Sequence, residues 1–201
     1  MQKIRRHLSK DPVFKKLVDN IQLPTRKPSG DVYFDLVRSI LGQQLSVKAA
    51  QTIFDRFLAL FPDAYPQADL LLEKDIETLR SVGLSRSKAA YVQNVAAFFK
   101  EEHVQRAELD RLSNEEIIGY LTQIKGVGQW TVEMMLMSTL DRPDVLPLSD
   151  LGIRNGMIEL YDVEESGKAL YARLEAIAQP WRPYRSTACR YIWLWKDGGG
   201  I

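Results

Sequence analysis

Residues 121–131 carry the pattern with the clearest chemical meaning. Two glycines, Gly126 and Gly128, flank a single valine and follow Lys125, with apolar residues on both sides of the group. This pattern predicts two short helices joined by a tight turn. The glycines leave backbone N–H groups uncovered at the start of the second helix, where the helix dipole is positive. Such a turn binds one anion, and a DNA phosphate is the obvious candidate.

A carboxylate follows this turn along the chain. Asp150 comes after Pro147 and Ser149 and directly precedes a stretch that predicts a further helix. Aspartate caps helices well, and the positive end of the helix dipole stabilises its charge. A carboxylate held in that environment can also stabilise positive charge that develops on a bound substrate. The residues alone favour neither interpretation, and both can hold together.

The tryptophans have two interpretations as well. Trp193 lies in the last predicted helix and Trp130 directly follows the glycine turn. Tryptophan most often packs in a core, where its ring contributes a large apolar area. Trp130 is instead tethered beside the predicted phosphate site. There its ring is able to stack on a base, and to favour a cationic one by about 0.5–2 kcal/mol.

Residues 41–46, Leu-Gly-Gln-Gln-Leu-Ser, form a third candidate element between two predicted helices. In one interpretation they are an interhelical turn in which Ser46 caps the second helix. In the other, an amide side chain at the tip enters a duplex and fills the space left by an extruded base. Nothing in the local sequence decides between the two.

The elements that must position these residues are helical almost throughout. Apolar spacing and capping residues predict an all-α fold of orthogonal helices with short loops. The chain is expected to form one unit of two helical lobes. The central lobe is predicted at about residues 31–130, and the second lobe comprises residues 1–30 plus 131–201. No helix is recognisable before residue 31. The predicted helices are residues 31–41, 46–61, 75–82, 86–100, 113 to the glycine turn, 132–140, 150–161, 167–178 and 184–195.

Composition excludes several classes of protein. The chain of 201 residues is 45% hydrophobic, but no apolar run approaches the length of a membrane span, and the N-terminus lacks a secretory signal. A single cysteine, Cys189, excludes an internal disulfide and a four-cysteine cluster. The two histidines are far apart, which argues against a transition-metal site. We therefore expect an intracellular protein. Its net charge of +1 is weak evidence about nucleic-acid binding.

Together these elements resemble the helix-hairpin-helix superfamily of DNA glycosylases, and within it the 3-methyladenine DNA glycosylase II group. The resemblance runs roughly from Phe34 to Trp193, and its motifs keep the family's order and spacing. Each motif alone is unspecific, but jointly they are highly specific. The motifs are residues 41–46, 82–89, 124–131 and 181–186.

The resemblance implies a role for individual residues. Asp150 takes the place of the catalytic aspartate, Trp130 and Trp193 line the base pocket, and Gln44 is the wedge. Met134 stands where some relatives place a pocket tyrosine. The hairpin binds phosphate, commonly with a monovalent cation held by carbonyls near Ile124 and Val127. The residues expected to contact DNA are Gln44, Lys125, Gly126, Val127, Gly128, Arg185 and Ser186.

Three differences from other members of the superfamily specify the expected activity, cofactor content and domain organisation further. Trp130 stands where lyase-competent relatives such as endonuclease III carry a nucleophilic lysine, so no strand cleavage is expected. No four-cysteine cluster follows the last helix, so no iron–sulfur cluster or other cofactor is expected. The extra N-terminal domain of the larger bacterial enzymes is expected to be missing.

These observations predict a monofunctional glycosylase that acts as a monomer on damaged double-stranded DNA. It would flip out alkylated purines such as 3-methyladenine and 7-methylguanine and hydrolyse their N-glycosidic bond. It would work in the nucleoid of a bacterium or the nucleus of a eukaryote. The sequence leaves open other lesions (hypoxanthine, ethenoadenine, uracil, an oxidised purine or a mismatch), a non-catalytic DNA-binding module, and a helical scaffold for protein partners.

Overall fold

The computed structural model describes residues 1–198, which contain thirteen α-helices, two short 3₁₀ helices and no strand. The predicted all-α class is therefore confirmed. Among the helices of residues 1–198, none combines the length and the apolar character that a membrane crossing requires. The α-helices are α1 (Gln2–Leu8), α2 (Pro12–Asn20), α3 (Val32–Gly42), α4 (Val47–Leu58), α5 (Ala68–Leu72), α6 (Ile76–Ser81), α7 (Arg86–Glu101), α8 (Arg106–Leu109), α9 (Asn114–Leu121), α10 (Gln129–Ser138), α11 (Leu151–Tyr161), α12 (Gly167–Ala178) and α13 (Arg185–Lys196); the 3₁₀ helices are Pro62–Ala64 and Gln179–Trp181.

The helices form two compact units. The terminal unit consists of Met1–Lys27 and the chain from Asp141 onward, and the central unit is Pro28–Leu140. The boundary therefore lies between residues 140 and 141, whereas the sequence suggested one near residue 130. Helix α10 stays in the central unit because it packs against α3 and α9. The chain leaves that unit in the proline-containing loop that follows α10.

In the terminal unit, α2, α11 and α13 pack on one another. Phe14 of α2 is fully buried, and its ring centroid lies 4.9 Å from that of Trp181. Helices α11 and α13 approach closely at Gly156, where an added Cβ would lie 2.3 Å from Cγ2 of Ile192. This close crossing brings the residues of α13 next to the start of α11.

The expectation that no helix precedes residue 31 is wrong, because α1 and α2 lie there. Asp11 caps α2 by accepting hydrogen bonds from the amides of Val13 and Phe14, and Pro12 occupies the first helical position. Both are helix-start signals that the sequence displays. Short helices such as these offer few apolar repeats, so periodicity alone detects them poorly.

The centre of the central unit is built on α3 and α7. Leu36, Val37 and Ile40 of α3 are fully buried, as are Val92 and Val95 of α7. Helix α7 is the longest helix in the described part of the chain and also packs against α5 and α6. Its side chains also hydrogen-bond to residues 43 and 125, in the two loops of this unit that are candidate DNA-contact elements.

Candidate active site

Asp150 begins α11. Its backbone amide donates to the carbonyl of Pro147 (2.9 Å), and its Oδ1 accepts a hydrogen bond from the amide of Ile153 (2.9 Å). The carboxylate thus caps the helix, as one of the two interpretations predicted. The side chain is half-buried rather than enclosed, so the cap role does not remove it from solvent.

Trp193 holds the same carboxylate. Its indole Nε1–H donates to Oδ1 of Asp150 at 3.0 Å, from α13. One oxygen therefore accepts both a backbone N–H and a side-chain N–H, which fixes the orientation of the carboxylate. Charge-assisted hydrogen bonds of this kind are among the stronger ones in proteins.

Gly152 leaves room for this arrangement, although its sequence context does not identify it as a site residue. A Cβ added at Gly152 would lie 3.2 Å from Oδ1 of Asp150 and 3.4 Å from Cδ1 of Trp193. Oδ1 of Asp150 would have to move by a few tenths of an ångström to accommodate it, whereas Cδ1 of Trp193 would be in ordinary van der Waals contact. The available signal was a glycine inside the first turn of a helix, which costs roughly 0.5–1 kcal/mol relative to alanine.

Trp193 also lines a surface cavity of about 210 Å³ within the terminal unit. Arg190 of the same helix donates to the carbonyl of Pro24 at 2.9 Å and so fastens the segment that forms the opposite wall. Arg26 and Leu194 complete this lining. The cavity combines apolar surface with two arginines beside the tryptophan that holds Asp150.

The predicted hairpin joins α9 to α10 in the central unit. Gly126 has φ +105°, and an added Cβ would lie 2.2 Å from Cγ of Tyr91, so both its backbone and its surroundings require glycine. Gly128 is the N-cap of α10, and an added Cβ there would have no atom within 4 Å. The protein's own packing therefore does not explain Gly128, whereas a ligand that approaches the helix start would.

Helix α10 begins at Gln129, three residues before the predicted start at 132. Trp130 therefore lies in its first turn, with 42% of its surface exposed, and Met134 lies one turn further on and is half-buried. Lys125 is exposed and Val127 is buried beneath the turn. Trp130 is the only tryptophan among the large exposed hydrophobic residues of the described chain.

Gln44 lies at the tip of the loop between α3 and α4. Its side chain is exposed, and its φ of 57° falls in the left-handed region. Ser46 caps α4 by accepting a hydrogen bond from the amide of Ala49 (3.3 Å). The turn-and-cap interpretation therefore holds, and the wedge role of Gln44 stays a prediction.

Arg185 and Ser186 have contacts within the terminal unit. Arg185 forms a two-point ion pair with Asp144 (2.6 and 3.0 Å), and only 13% of its side chain is exposed. Ser186 is buried, donates to the carbonyl of Arg142 (2.6 Å) and accepts from the amide of Val145 (2.9 Å). These contacts attach the loop before α11 to α13, and the predicted DNA contacts of both residues stay predictions.

The described residues show no cluster of three or more histidine, cysteine or acidic side chains able to hold a metal ion. Cys189 is buried in the terminal unit. At the hairpin, the carbonyl of Ile124 accepts a hydrogen bond from the amide of Val127 at 3.0 Å. The monovalent cation expected near these carbonyls stays a prediction.

Comparison with known proteins gives a consistent result. A family model described as "HhH-GPD superfamily base excision DNA repair protein" matches residues 37–183. DNA-3-methyladenine glycosylase 1 of Schizosaccharomyces pombe is 36% identical over 180 residues, which cover 89% of this chain and 78% of that protein.

Two solved structures share the fold over nearly the whole chain. The S. pombe 3-methyladenine DNA glycosylase in complex with abasic DNA has a TM-score of 0.84 at 35% identity, with 97% of each chain covered. The DNA-3-methyladenine glycosidase of Bacillus halodurans has a TM-score of 0.83 at 32% identity, with 98% of this chain and 90% of that chain covered. On the family match and these relatives, the chain belongs to the HhH-GPD superfamily of base excision DNA repair proteins.

Proposed function

We propose that this protein is a monofunctional DNA-3-methyladenine glycosylase of base excision repair. It acts as a monomer on damaged duplex DNA and hydrolyses the N-glycosidic bond of alkylated purines such as 3-methyladenine and 7-methylguanine. The family match and the two 3-methyladenine glycosylases that share the fold support this substrate class.

One observation carries the proposal. Oδ1 of Asp150 accepts hydrogen bonds from both Trp193 Nε1 and the Ile153 amide, so a carboxylate is held in one orientation beside an aromatic ring. A carboxylate that only capped a helix would need the Ile153 contact alone. The second contact, from a helix more than forty residues along the chain, orients the acid for a further task.

The chemistry of alkylated purines makes one carboxylate sufficient. Alkylation at N3 or N7 places a positive charge on the base, so the glycosidic bond is weak and the leaving group needs no general acid. What remains is to stabilise the oxocarbenium-like sugar that forms as the bond breaks. Asp150 supplies that negative charge and directs one water to the sugar. Once the bound nucleotide displaces bulk water from the site, the interaction between the carboxylate and the sugar is far stronger than in solution.

The other predicted residues hold the DNA. The hairpin presents its amides and the positive end of α10 to a backbone phosphate. Trp130 offers an exposed aromatic face on which an electron-poor base stacks. Gln44 fills the gap that the flipped nucleotide leaves in the duplex.

The absence of a lysine at position 130 supports hydrolysis without strand cleavage. A lyase forms a Schiff base between an amine and the sugar, and Trp130 has no amine to offer. Borohydride trapping on DNA that contains an abasic site is expected to give no covalent complex. A covalent complex trapped with the wild-type protein would show lyase activity and overturn this part of the proposal.

The decisive test is a panel of single lesions in duplex DNA, scored by the free base released. The panel contains 3-methyladenine, 7-methylguanine, hypoxanthine, ethenoadenine and uracil, and it is run with wild type and Asp150→Asn. Asparagine caps helices as well as aspartate does, so the variant keeps its fold while it loses the charge. We expect a rate loss of about 10²–10³-fold, with affinity for damaged DNA retained.

Asp75→Asn is the matched control. Asp75 also caps a helix, by accepting from the amide of Thr78 at 2.7 Å, and it lies in the central unit. Its loss of charge is expected to leave base release unchanged. Full activity of Asp150→Asn would remove Asp150 from the mechanism. If wild type released only hypoxanthine, ethenoadenine or uracil, the substrate class would differ from alkylated purines. If it released no base at all, the protein would be a non-catalytic DNA-binding module.

A further inference from the structure

Helix α7 contacts both loops of the central unit that are proposed to hold DNA. One is the wedge loop, residues 43–46, which carries Gln44, and the other is the hairpin turn, residues 125–128. Three side chains of α7 make these contacts, Lys88, Tyr91 and Asn94, and each is three residues from the next. Residues at this spacing lie on one side of a helix.

Lys88 holds the wedge loop. Its Nζ donates to the carbonyl of Leu41 at 2.8 Å and to that of Gln43 at 2.7 Å. These carbonyls belong to the last turn of α3 and to its C-cap residue, where a cation also complements the helix dipole. The side chain is half-buried, and burial lowers the pKa of its ammonium group. A partly buried ammonium group that contacts two backbone carbonyls fixes the path of the chain immediately before Gln44.

Tyr91 and Asn94 hold the hairpin. The ring of Tyr91 lies against Gly126 so closely that an added Cβ would be 2.2 Å from Cγ. Asn94 Nδ2 donates to the carbonyl of Lys125 at 3.0 Å. The turn before Gly128 is therefore fastened to α7 by one packing contact and one hydrogen bond.

The two loops also meet each other. Gln43 Nε2 donates to the carbonyl of Gly126 at 3.5 Å, at the limit of a hydrogen bond. This direct contact is long, so the contacts to α7 provide the firmer connection. From Lys88 to Asn94, α7 advances roughly 9 Å at 1.5 Å per residue, and a helix changes that distance very little.

We propose that α7 is a rigid spacer that sets the position of Gln44 relative to the hairpin, and that Lys88 is its positioning residue. The inference rests on the proposed function, in which Gln44 fills the duplex and the hairpin holds a phosphate. A phosphate held by the hairpin fixes the register of the DNA, and the spacer then places Gln44 at one base step. Small displacements of such a group are expensive, since a 1 Å misplacement is able to cost about 10²-fold in rate.

The test replaces Lys88 with methionine, which keeps the length of the side chain and removes the N–H donors. Two duplexes are compared by fluorescence anisotropy, one undamaged and one with a tetrahydrofuran abasic-site analogue, whose gap is open to the wedge. For Lys88→Met we expect unchanged affinity for the undamaged duplex, because the hairpin still binds phosphate. The preference for the abasic analogue should fall about tenfold, and single-turnover base release should fall by a similar factor.

Two further variants separate positioning from folding. Lys100→Met makes the same change on the same helix at an exposed lysine paired with Asp69, and is expected to leave both quantities unchanged. Lys88→Arg retains N–H donors for the two carbonyls and should recover most of the preference. If Lys88→Met does not fold, Lys88→Gln, which keeps an amide donor, takes its place with an intermediate loss expected.

Two results would overturn the inference. One is a folded Lys88→Met or Lys88→Gln with the preference and rate of wild type, and the other is an equal loss of affinity for both duplexes. The binding comparison needs no catalysis, so its outcome is independent of the lesion assay. A wild type that prefers the abasic analogue but releases no base would contradict the proposed function and leave the spacer intact.

Discussion

The indole Nε1–H of Trp193 lies 3.0 Å from Oδ1 of Asp150 and donates a hydrogen bond to it. Trp193 therefore orients the acid, a role separate from the base stacking that the family resemblance implies for its ring. The two roles use different parts of the side chain, the N–H edge and the aromatic face. A variant that changes only the edge can distinguish them.

Trp193→Phe removes the N–H donor and keeps an aromatic face. A hydrogen bond to a charged group contributes about 1.5–3 kcal/mol, so base release should slow by about 10- to 150-fold. Single-turnover rates and affinity for lesion-containing duplex are the measurements. Trp195→Phe, two residues further along α13, is the control and should behave as wild type. An unchanged rate in Trp193→Phe would leave stacking as the sole role of this residue.

Gly152→Ala should stabilise helix α11 and slow the release of damaged bases. Alanine in place of a helical glycine stabilises by roughly 0.5–1 kcal/mol, but the new methyl group would lie 3.2 Å from Oδ1 of Asp150. We expect the melting temperature to be equal to or above that of wild type while base release falls at least about fivefold through misplacement of the acid.

Gly119→Ala provides the matched control for this glycine. Gly119 lies in α9, and an added Cβ there would have no atom within 4 Å. Its melting temperature should rise by about 1–4 °C with base release unchanged. If Gly152→Ala released base as fast as this control, the close approach at Gly152 would have no catalytic consequence.

Gly128→Asp and Gly128→Asn separate charge from size at the hairpin. Both residues cap helices better than glycine or as well, and the site has room for a side chain, so neither should lower the melting temperature. The aspartate places a negative charge where the phosphate is proposed to bind. Its affinity for damaged and undamaged duplexes should be lower than that of the asparagine variant by at least about tenfold. Equal affinities would show that no phosphate binds there.

Trp130→Ala should slow the release of cationic bases more than the release of neutral ones. Loss of a cation–π contact costs about 0.5–2 kcal/mol, so release of 7-methylguanine should fall more than release of neutral hypoxanthine, by about 2- to 30-fold. The ratio of the two rates is the measurement, since it cancels any general loss of activity. Trp130→Phe, which keeps an aromatic face, should give a smaller change. Equal losses for the two bases would argue against selection by charge.

Features that depend on neighbours along the chain were predictable from the sequence. The hairpin follows from Gly126 and Gly128. The helix caps by Ser46 and Asp150 are hydrogen bonds to amides three positions away. The local chain conformation decides such contacts, so residue order alone is enough to identify them.

Only the tertiary structure decided which distant groups meet. Trp193 reaches Asp150 from 43 residues away, Lys88 reaches Leu41 from 47, and Arg185 pairs with Asp144 from 41. Each of these partners depends on how helices cross, and α11 and α13 approach as closely as they do because Gly156 has no side chain to hold them apart. The sequence alone does not specify that crossing. It therefore identified Asp150 as the candidate acid, but not Trp193 as the residue that orients its carboxylate.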